Sequence, residues 1–164
     1  MAIVLIGPMG AGKTKLGKRV AAILGLPFAD TDRMIVAGHG TIADIFTEFG
    51  ERHFRALERV AVEDALAQGA VVALGGGAVL DPNTQADLAA HHVALITVSP
   101  AAVASRISGT KRPLLTGGID SWTRIMDDRR EVYERLADRT WDTSSRPMSA
   151  IAAEIADWSR GGIA

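Results

Sequence analysis

Apolar positions along this chain alternate between short uninterrupted runs and longer stretches in which they recur every three or four residues. Ala2-Ile3-Val4-Leu5-Ile6 is the first run and reads as a strand. Leu16, Val20, Ile23 and Leu24 then take helical spacing from about Lys13, and Gly25 closes that helix. Pro27-Phe28-Ala29 predicts a short second strand that continues, extended, into Asp30-Thr31-Asp32. Thr41 has the chemistry of an N-cap, with Asp44 as a weak capping box. From there to Leu66 the spacing is helical, with a break near Gly50. Val71-Val72-Ala73-Leu74 predicts a buried strand ending in Gly75-Gly76-Gly77. A helix over 83–90 and a strand over 93–98 follow, and Ser99-Pro100 pairs an N-cap with proline at the first helical position. Residues 108–118, rich in Gly, Thr and basic side chains, have no period and read as a loop. A helix over 121–137, a strand over 140–143 and a helix over 148–159 complete the pattern.

Strands alternating with helices predict an α/β domain with a mainly parallel sheet. In such sheets ligands sit beyond the carboxyl ends of the strands. The unusual residues fall there: a glycine-rich turn after the first strand, Asp-Thr-Asp after the second and three glycines after the third. At 164 residues, 48% hydrophobic and 23% charged, the chain suits one globular domain. Its formal net charge of −1 gives no support for general nucleic-acid binding or attraction to anionic membranes. With no cysteine, disulfides, thiolate metal sites and Cys nucleophiles are excluded. The apolar N-terminus is too short for a signal peptide or membrane span, so the expectation is a cytoplasmic protein.

The glycine-rich turn carries the most specific chemistry. Gly7-Pro8-Met9-Gly10-Ala11-Gly12-Lys13-Thr14 fits G-x-x-x-x-G-K-[ST], the phosphate-binding P-loop, and has the required strand before it and helix after it. Backbone N–H groups and the positive helix N-terminus suit a bound phosphate, Lys13 adds a charge and Thr14 offers a hydroxyl to Mg²⁺. A nucleoside triphosphate follows, but the acceptor of its phosphoryl group does not. Asp30 and Asp32, two apart in an extended segment, would project from the same side. Asp30 could hold the water shell of a metal, and Asp32 could accept a proton from an acceptor hydroxyl. A solvated turn is the plainer alternative. Gly75-Gly76-Gly77 suits a ligand pressed against backbone N–H groups, or is simply a turn. Arg55 and Arg129 taken alone read as surface charges. Arg112, in Lys111-Arg112-Pro113-Leu114-Leu115, belongs either to a lid over the phosphates or to a surface loop. The four histidines show no metal-ligand spacing, and Trp122, Trp141 and Trp158 read as packing.

Taken in order, the P-loop, Asp30-Thr31-Asp32, Phe54-Arg55, Gly75-Gly76-Gly77, Lys111-Arg112-Pro113-Leu114-Leu115, the helix with Arg129 and Tyr133, and Asp142-Thr143 with Arg146-Pro147 resemble the shikimate kinase family over nearly the whole chain. The resemblance implies one P-loop kinase domain over 1–164. Its fold would be three-layer and nucleoside-monophosphate-kinase-like, with a five-stranded parallel sheet of order 2-3-1-4-5. It also implies a substrate-binding helical region at about 32–60 and a lid at about 108–118. The implied reaction is transfer of the ATP γ-phosphoryl group to the 3-hydroxyl of shikimate in aromatic amino-acid biosynthesis, by a monomer, with Mg²⁺.

The implied roles fall on particular residues. Gly10, Ala11, Gly12, Lys13, Thr14 and Lys15 hold the nucleotide, with Arg112 on its phosphates and Arg146 on its adenine side. Thr14 holds Mg²⁺ directly and Asp30 through water. Asp32, Arg55, Gly75, Gly76, Gly77 and Arg129 bind shikimate, the two arginines taking its carboxylate. Lys13, Asp32 and Arg112 are the catalytic set. The chain departs from the family at Lys15, where many members carry Ser or Thr. A slightly short segment before Lys111 leaves open whether Arg106 matches a lid-base arginine. A gluconate-kinase-like enzyme and a nucleotide-binding regulatory domain are the rival readings. The triple glycine and the Arg-Pro-Leu-Leu stretch speak against the first, and retention of Asp32, Arg55 and Arg129 against the second.

Overall fold

The structure, a computed structural model, describes residues 1–107 and 117–161 of the 164. Strand β1 (Ile3–Ile6) is apolar at every position and no residue in it is more than 5% exposed. A strand of that composition is stable only where both faces are covered, which places it at the centre of a parallel sheet. Each of its fully buried Leu and Ile side chains contributes about 1.5–3 kcal/mol relative to exposure. β3 (Val71–Ala73) and β4 (His92–Thr97) flank it, so that Val4 lies between Val72 and Val93. β2 (Phe28–Asp30) and β5 (Arg139–Asp142) form the edges, giving the order β2-β3-β1-β4-β5 with every pair parallel.

Helices flank the sheet. α1 (Lys13–Leu24) packs on α7 (Met148–Ser159), α2 (Thr31–His39) on α3 (Ile42–Ala67), and α5 (Pro100–Ile107) on α6 (Gly118–Leu136); α4 (Pro82–Leu88) lies near a 3-10 turn at Ala78–Leu80. α1 ends at Gly25 (φ 67°), whose N–H returns to the Ala21 carbonyl. α3 carries the expected break at Gly50, with φ 84° and ψ 171°. Beyond it, Phe54 and Ala61 join Ile35 and Ile45 in a small apolar cluster separate from the main core. The 32–60 helical region thus has packing of its own, and it sets Arg55 against Gly77, just beyond β3. No helix among the described residues is long and apolar enough to cross a membrane.

The observed elements differ from the pattern in three places that matter. Asp30-Thr31-Asp32 is not extended throughout: Asp30 ends β2, and α2 begins at Thr31, with the Asp30 carboxylate accepting from the Arg33 N–H at 3.1 Å. The hydrophobic pattern gave no hint of α2, because only Thr31 and Ile35 of its nine residues are buried. α6 starts at Gly118, behind Gly117 (φ 97°), three residues earlier than the spacing implied. Of the expected lid, residues 108–116, including Arg112, lie outside the described residues.

Candidate active site

The donor side is the loop from β1 to α1. Gly10 and Gly12 adopt φ of 82° and 95°, conformations open to glycine and costly for other residues. Every carbonyl from Gly7 to Gly12 has a donor. Lys13 Nζ donates to Gly7 at 2.7 Å and Pro8 at 2.8 Å, and Trp122 Nε1 donates to Met9 at 2.7 Å. Arg106 Nη1 donates to Gly10 at 2.9 Å, the Thr143 hydroxyl to Ala11 at 2.6 Å, and the Leu16 N–H to Gly12 at 2.9 Å. In a trans peptide the N–H points opposite the C=O, so anchoring the carbonyls also orients the N–H groups. Gly12 provides no side-chain cap and the first turn of α1 holds no acid, leaving that helix end to an anion. Arg106 belongs to this loop: besides Gly10, it donates to the Thr143 hydroxyl at 3.2 Å and the Thr143 carbonyl at 2.5 Å. Lys15 is exposed at the edge of the cleft.

Thr14 Oγ1 donates to Asp30 Oδ2 at 2.6 Å, bringing together the two residues expected at a metal. A hydroxyl and a carboxylate, with Asp32 lining the same cleft, are hard oxygen donors that suit Mg²⁺. Among the described residues no group of three or more His, Cys, Asp or Glu is arranged as a protein-only metal cage.

The acceptor side is the loop after β3. Each of its glycines lies against one charged side chain. A Cβ on Gly75 would come within 2.5 Å of Asp32 Oδ1, one on Gly76 within 3.3 Å of Arg129 Nη1, and one on Gly77 within 2.5 Å of Arg55 Nη1. The loop is also held from behind. The Gly75 N–H donates to the buried Thr31 hydroxyl at 3.0 Å, and Tyr133 donates its hydroxyl to the Gly76 carbonyl at 2.6 Å. The Gly75 N–H is therefore engaged by Thr31. Side chains of α2 and α3 occupy the space a Cβ would fill at Gly75 and Gly77, and Arg129 of α6 crowds it at Gly76.

Burial, reinforced by the neighbouring Asp30 carboxylate, pushes Asp32 above its ordinary value, while Lys13 and Arg55 pull it back. Glu58, which the sequence reading passed over, is 4% exposed and accepts from Arg55 Nη1 at 2.8 Å. Burial raises its pKa; that hydrogen bond, the Arg55 charge and, more weakly, Arg129 oppose the rise. Glu58 thus helps to hold Arg55, one of the two arginines that the resemblance assigns to a carboxylate. Its i, i+3 spacing from Arg55 was the available signal, but spacing alone does not distinguish a buried partner from a surface pair. Trp122, Tyr133, Thr31 and Thr143 act on loop backbone from distant parts of the chain; Trp122 carried no motif, and the other three stood in matched segments without a role of their own.

Both sides open into one cleft of about 1010 Å³, whose walls include Gly10, Gly12, Lys13, Thr14, Asp30, Asp32, Arg55, the Gly75–Gly77 segment and Arg129. Arg146 does not join them: its guanidinium pairs with Glu154 of α7, which also accepts from the Trp141 indole at 3.1 Å. Met148, two residues on, lines the cleft in its place.

The parallel sheet order, the anchored P-loop and a facing cationic pocket define a P-loop kinase of the nucleoside-monophosphate-kinase type. The shikimate kinase family model matches residues 9–160, and the chain belongs to that family. The Thermobifida fusca shikimate kinase is 45% identical over 157 residues, covering 93% of this chain and 91% of that protein. The structure of shikimate kinase from Acinetobacter baumannii in complex with shikimate superposes with a TM-score of 0.90 at 29% identity, covering 98% of this chain and 93% of that one. A gluconokinase from Sinorhizobium meliloti, at 17% identity and a TM-score of 0.62 over 98% of this chain and 94% of its own, shares the fold alone. The protein is therefore an enzyme, a phosphotransferase with a nucleotide substrate.

Proposed function

We propose that the protein transfers the γ-phosphoryl group of ATP to the 3-hydroxyl of shikimate, giving shikimate 3-phosphate and ADP. The observation that carries this reading is the meeting, in one cleft, of a phosphate loop with Asp32 and two arginines, Arg55 and Arg129. The planar guanidinium groups suit a carboxylate, and Asp32 suits a ring hydroxyl. Asp32, its proton affinity raised by burial and by Asp30, accepts the hydroxyl proton as the oxygen bonds to the γ-phosphorus. The bond from that phosphorus to the bridging oxygen breaks, and ADP leaves. Gly10, Ala11, Gly12 and Lys13 hold the phosphates, with Lys15 at the edge of the cleft.

Thr14 and Asp30 would hold Mg²⁺, which when bound neutralises phosphate charge. Arg112, outside the described residues, is proposed to close over the phosphates, so Arg112→Ala should lower turnover. Arg146, which the resemblance assigns to the adenine side, is proposed for that role, and its guanidinium pairs with Glu154 in the structure. We further propose that the chain acts as a single-domain monomer in the cytoplasm, in aromatic amino-acid biosynthesis.

Coupled measurement of ADP release, with ATP and Mg²⁺ and with shikimate, gluconate or no acceptor, tests the reading. Stimulation by shikimate alone is the expected result. Stimulation by gluconate would assign the pocket to polyol acids, and release without any acceptor would assign it to hydrolysis.

A further inference from the structure

Trp122, Met126, Arg129 and Tyr133 follow one another at helical spacing along α6, and the three apolar or aromatic members are buried. The two at the ends are polar-tipped rings, 3% and 0% exposed. Buried indole and phenol groups need hydrogen-bond partners, and any core carbonyl would serve. Here the partners are the working loops: Trp122 donates to Met9 of the donor loop at 2.7 Å, and Tyr133 donates to Gly76 of the acceptor loop at 2.6 Å. Between them, Arg129 lies against Gly76. The rings are about three turns, or roughly 16 Å of helix axis, apart. A rigid helix thus grips both halves of the site by backbone atoms that no substitution in the loops themselves removes.

We propose that Trp122 and Tyr133 are positioning residues through which α6 sets the separation and orientation of the donor and acceptor loops. The assignment of an acceptor to the second loop rests on the function proposed above. Phosphoryl transfer depends on near-attack geometry, in which small misplacements are costly. Each ring should govern the substrate on its own side.

Tyr133→Phe keeps its ring and removes only the donor, whereas Trp122→Phe keeps an aromatic ring but loses the fused pyrrole ring together with the donor. Trp122→Phe is expected to weaken ATP binding about tenfold by titration calorimetry with Mg²⁺ present, with the KM for shikimate unchanged. Tyr133→Phe is expected to raise the KM for shikimate about tenfold with ATP affinity unchanged, and both should lower kcat. Met126→Leu, on the same stripe but with no donor, should reproduce neither split, and thermal unfolding of all three confirms that folded protein is compared. Constants within twofold of wild type in either Phe variant, or the same split in Met126→Leu, would overturn the proposal. Absence of shikimate stimulation in the wild type would instead overturn the proposed acceptor, and the calorimetric arm would still test Trp122.

Discussion

At the donor loop Gly10 and Gly12 hold φ of 82° and 95°, whereas none of Gly75, Gly76 and Gly77 has a positive φ. The first loop uses glycine for a backbone shape, and at Gly7 and Gly10 for space as well, whereas the second uses it for space alone. A Cβ at Gly12 would meet only the flexible end of Met148, at 2.4 Å, but would still force an unfavourable backbone. At Gly75 the backbone is ordinary and the obstacle is the Asp32 carboxylate. The contrast extends to what surrounds each loop. Donor-loop carbonyls are tied by Trp122, Arg106 and Thr143, so that loop is a backbone device. The acceptor loop is a floor beneath side chains, and its chemistry belongs to Asp32, Arg55, Glu58 and Arg129.

The largest separation of the two regions is expected from Asp32→Asn. Loss of a general base should lower turnover about 10²–10⁴-fold, while ATP affinity, a donor-loop property, persists. The same variant should be more stable at neutral pH. Because Asp32 sits above its ordinary value of 3.8, the native state retains a proton that the unfolded chain has released. Stability therefore falls as pH rises from 3.8 through the native pKa. Asn removes that loss, so the gain in Tm should be present near neutrality and vanish below pH 3.8. Equal Tm at both pH values would show that Asp32 is not strained by burial.

Arg129→Ala and Arg55→Ala come next. Losing charged hydrogen bonds worth about 1.5–3 kcal/mol should raise the KM for shikimate roughly 10- to 150-fold and leave that for ATP alone. Arg55→Ala should also lower Tm, because it strips buried Glu58 of its partner at 2.8 Å. A change confined to ATP would reverse the assignment of the two sides.

The two kinds of glycine can be told apart directly. Gly12→Ala should weaken ATP binding about tenfold, from roughly 1–2 kcal/mol of left-handed strain, and adding Met148→Ala should not restore it. Gly75→Ala should instead impair the shikimate side. Rescue of Gly12→Ala by Met148→Ala would make space, not backbone, the reason at both loops. The smallest effect belongs to Lys15→Thr. An exposed charge at the cleft edge is worth about 0.2–1 kcal/mol, so the KM for ATP should move only a few-fold, and less at high salt. An effect as large as that of Gly12→Ala would place Lys15 in direct contact with phosphate.

Much of this was written in local sequence. The run Ile3-Val4-Leu5-Ile6 demanded a central strand because its residues are apolar on both faces, and the P-loop spacing specified backbone conformations that need only neighbouring residues. The resemblance carried the sheet order and the set of acceptor residues. What local pattern could not carry were quantities set by packing between distant segments. Asp30 became the cap of a helix because α2 starts directly at the strand end. Asp32 gained proton affinity through burial, Glu58 became a buried partner of Arg55, and Arg146 went to Glu154 instead of the cleft. The three glycines after β3 were conspicuous in the sequence, but what each lies against is a side chain from another element, Asp32 of α2, Arg129 of α6 and Arg55 of α3. Backbone conformation is encoded by the residues that adopt it, whereas space and proton affinity depend on what the rest of the chain places alongside.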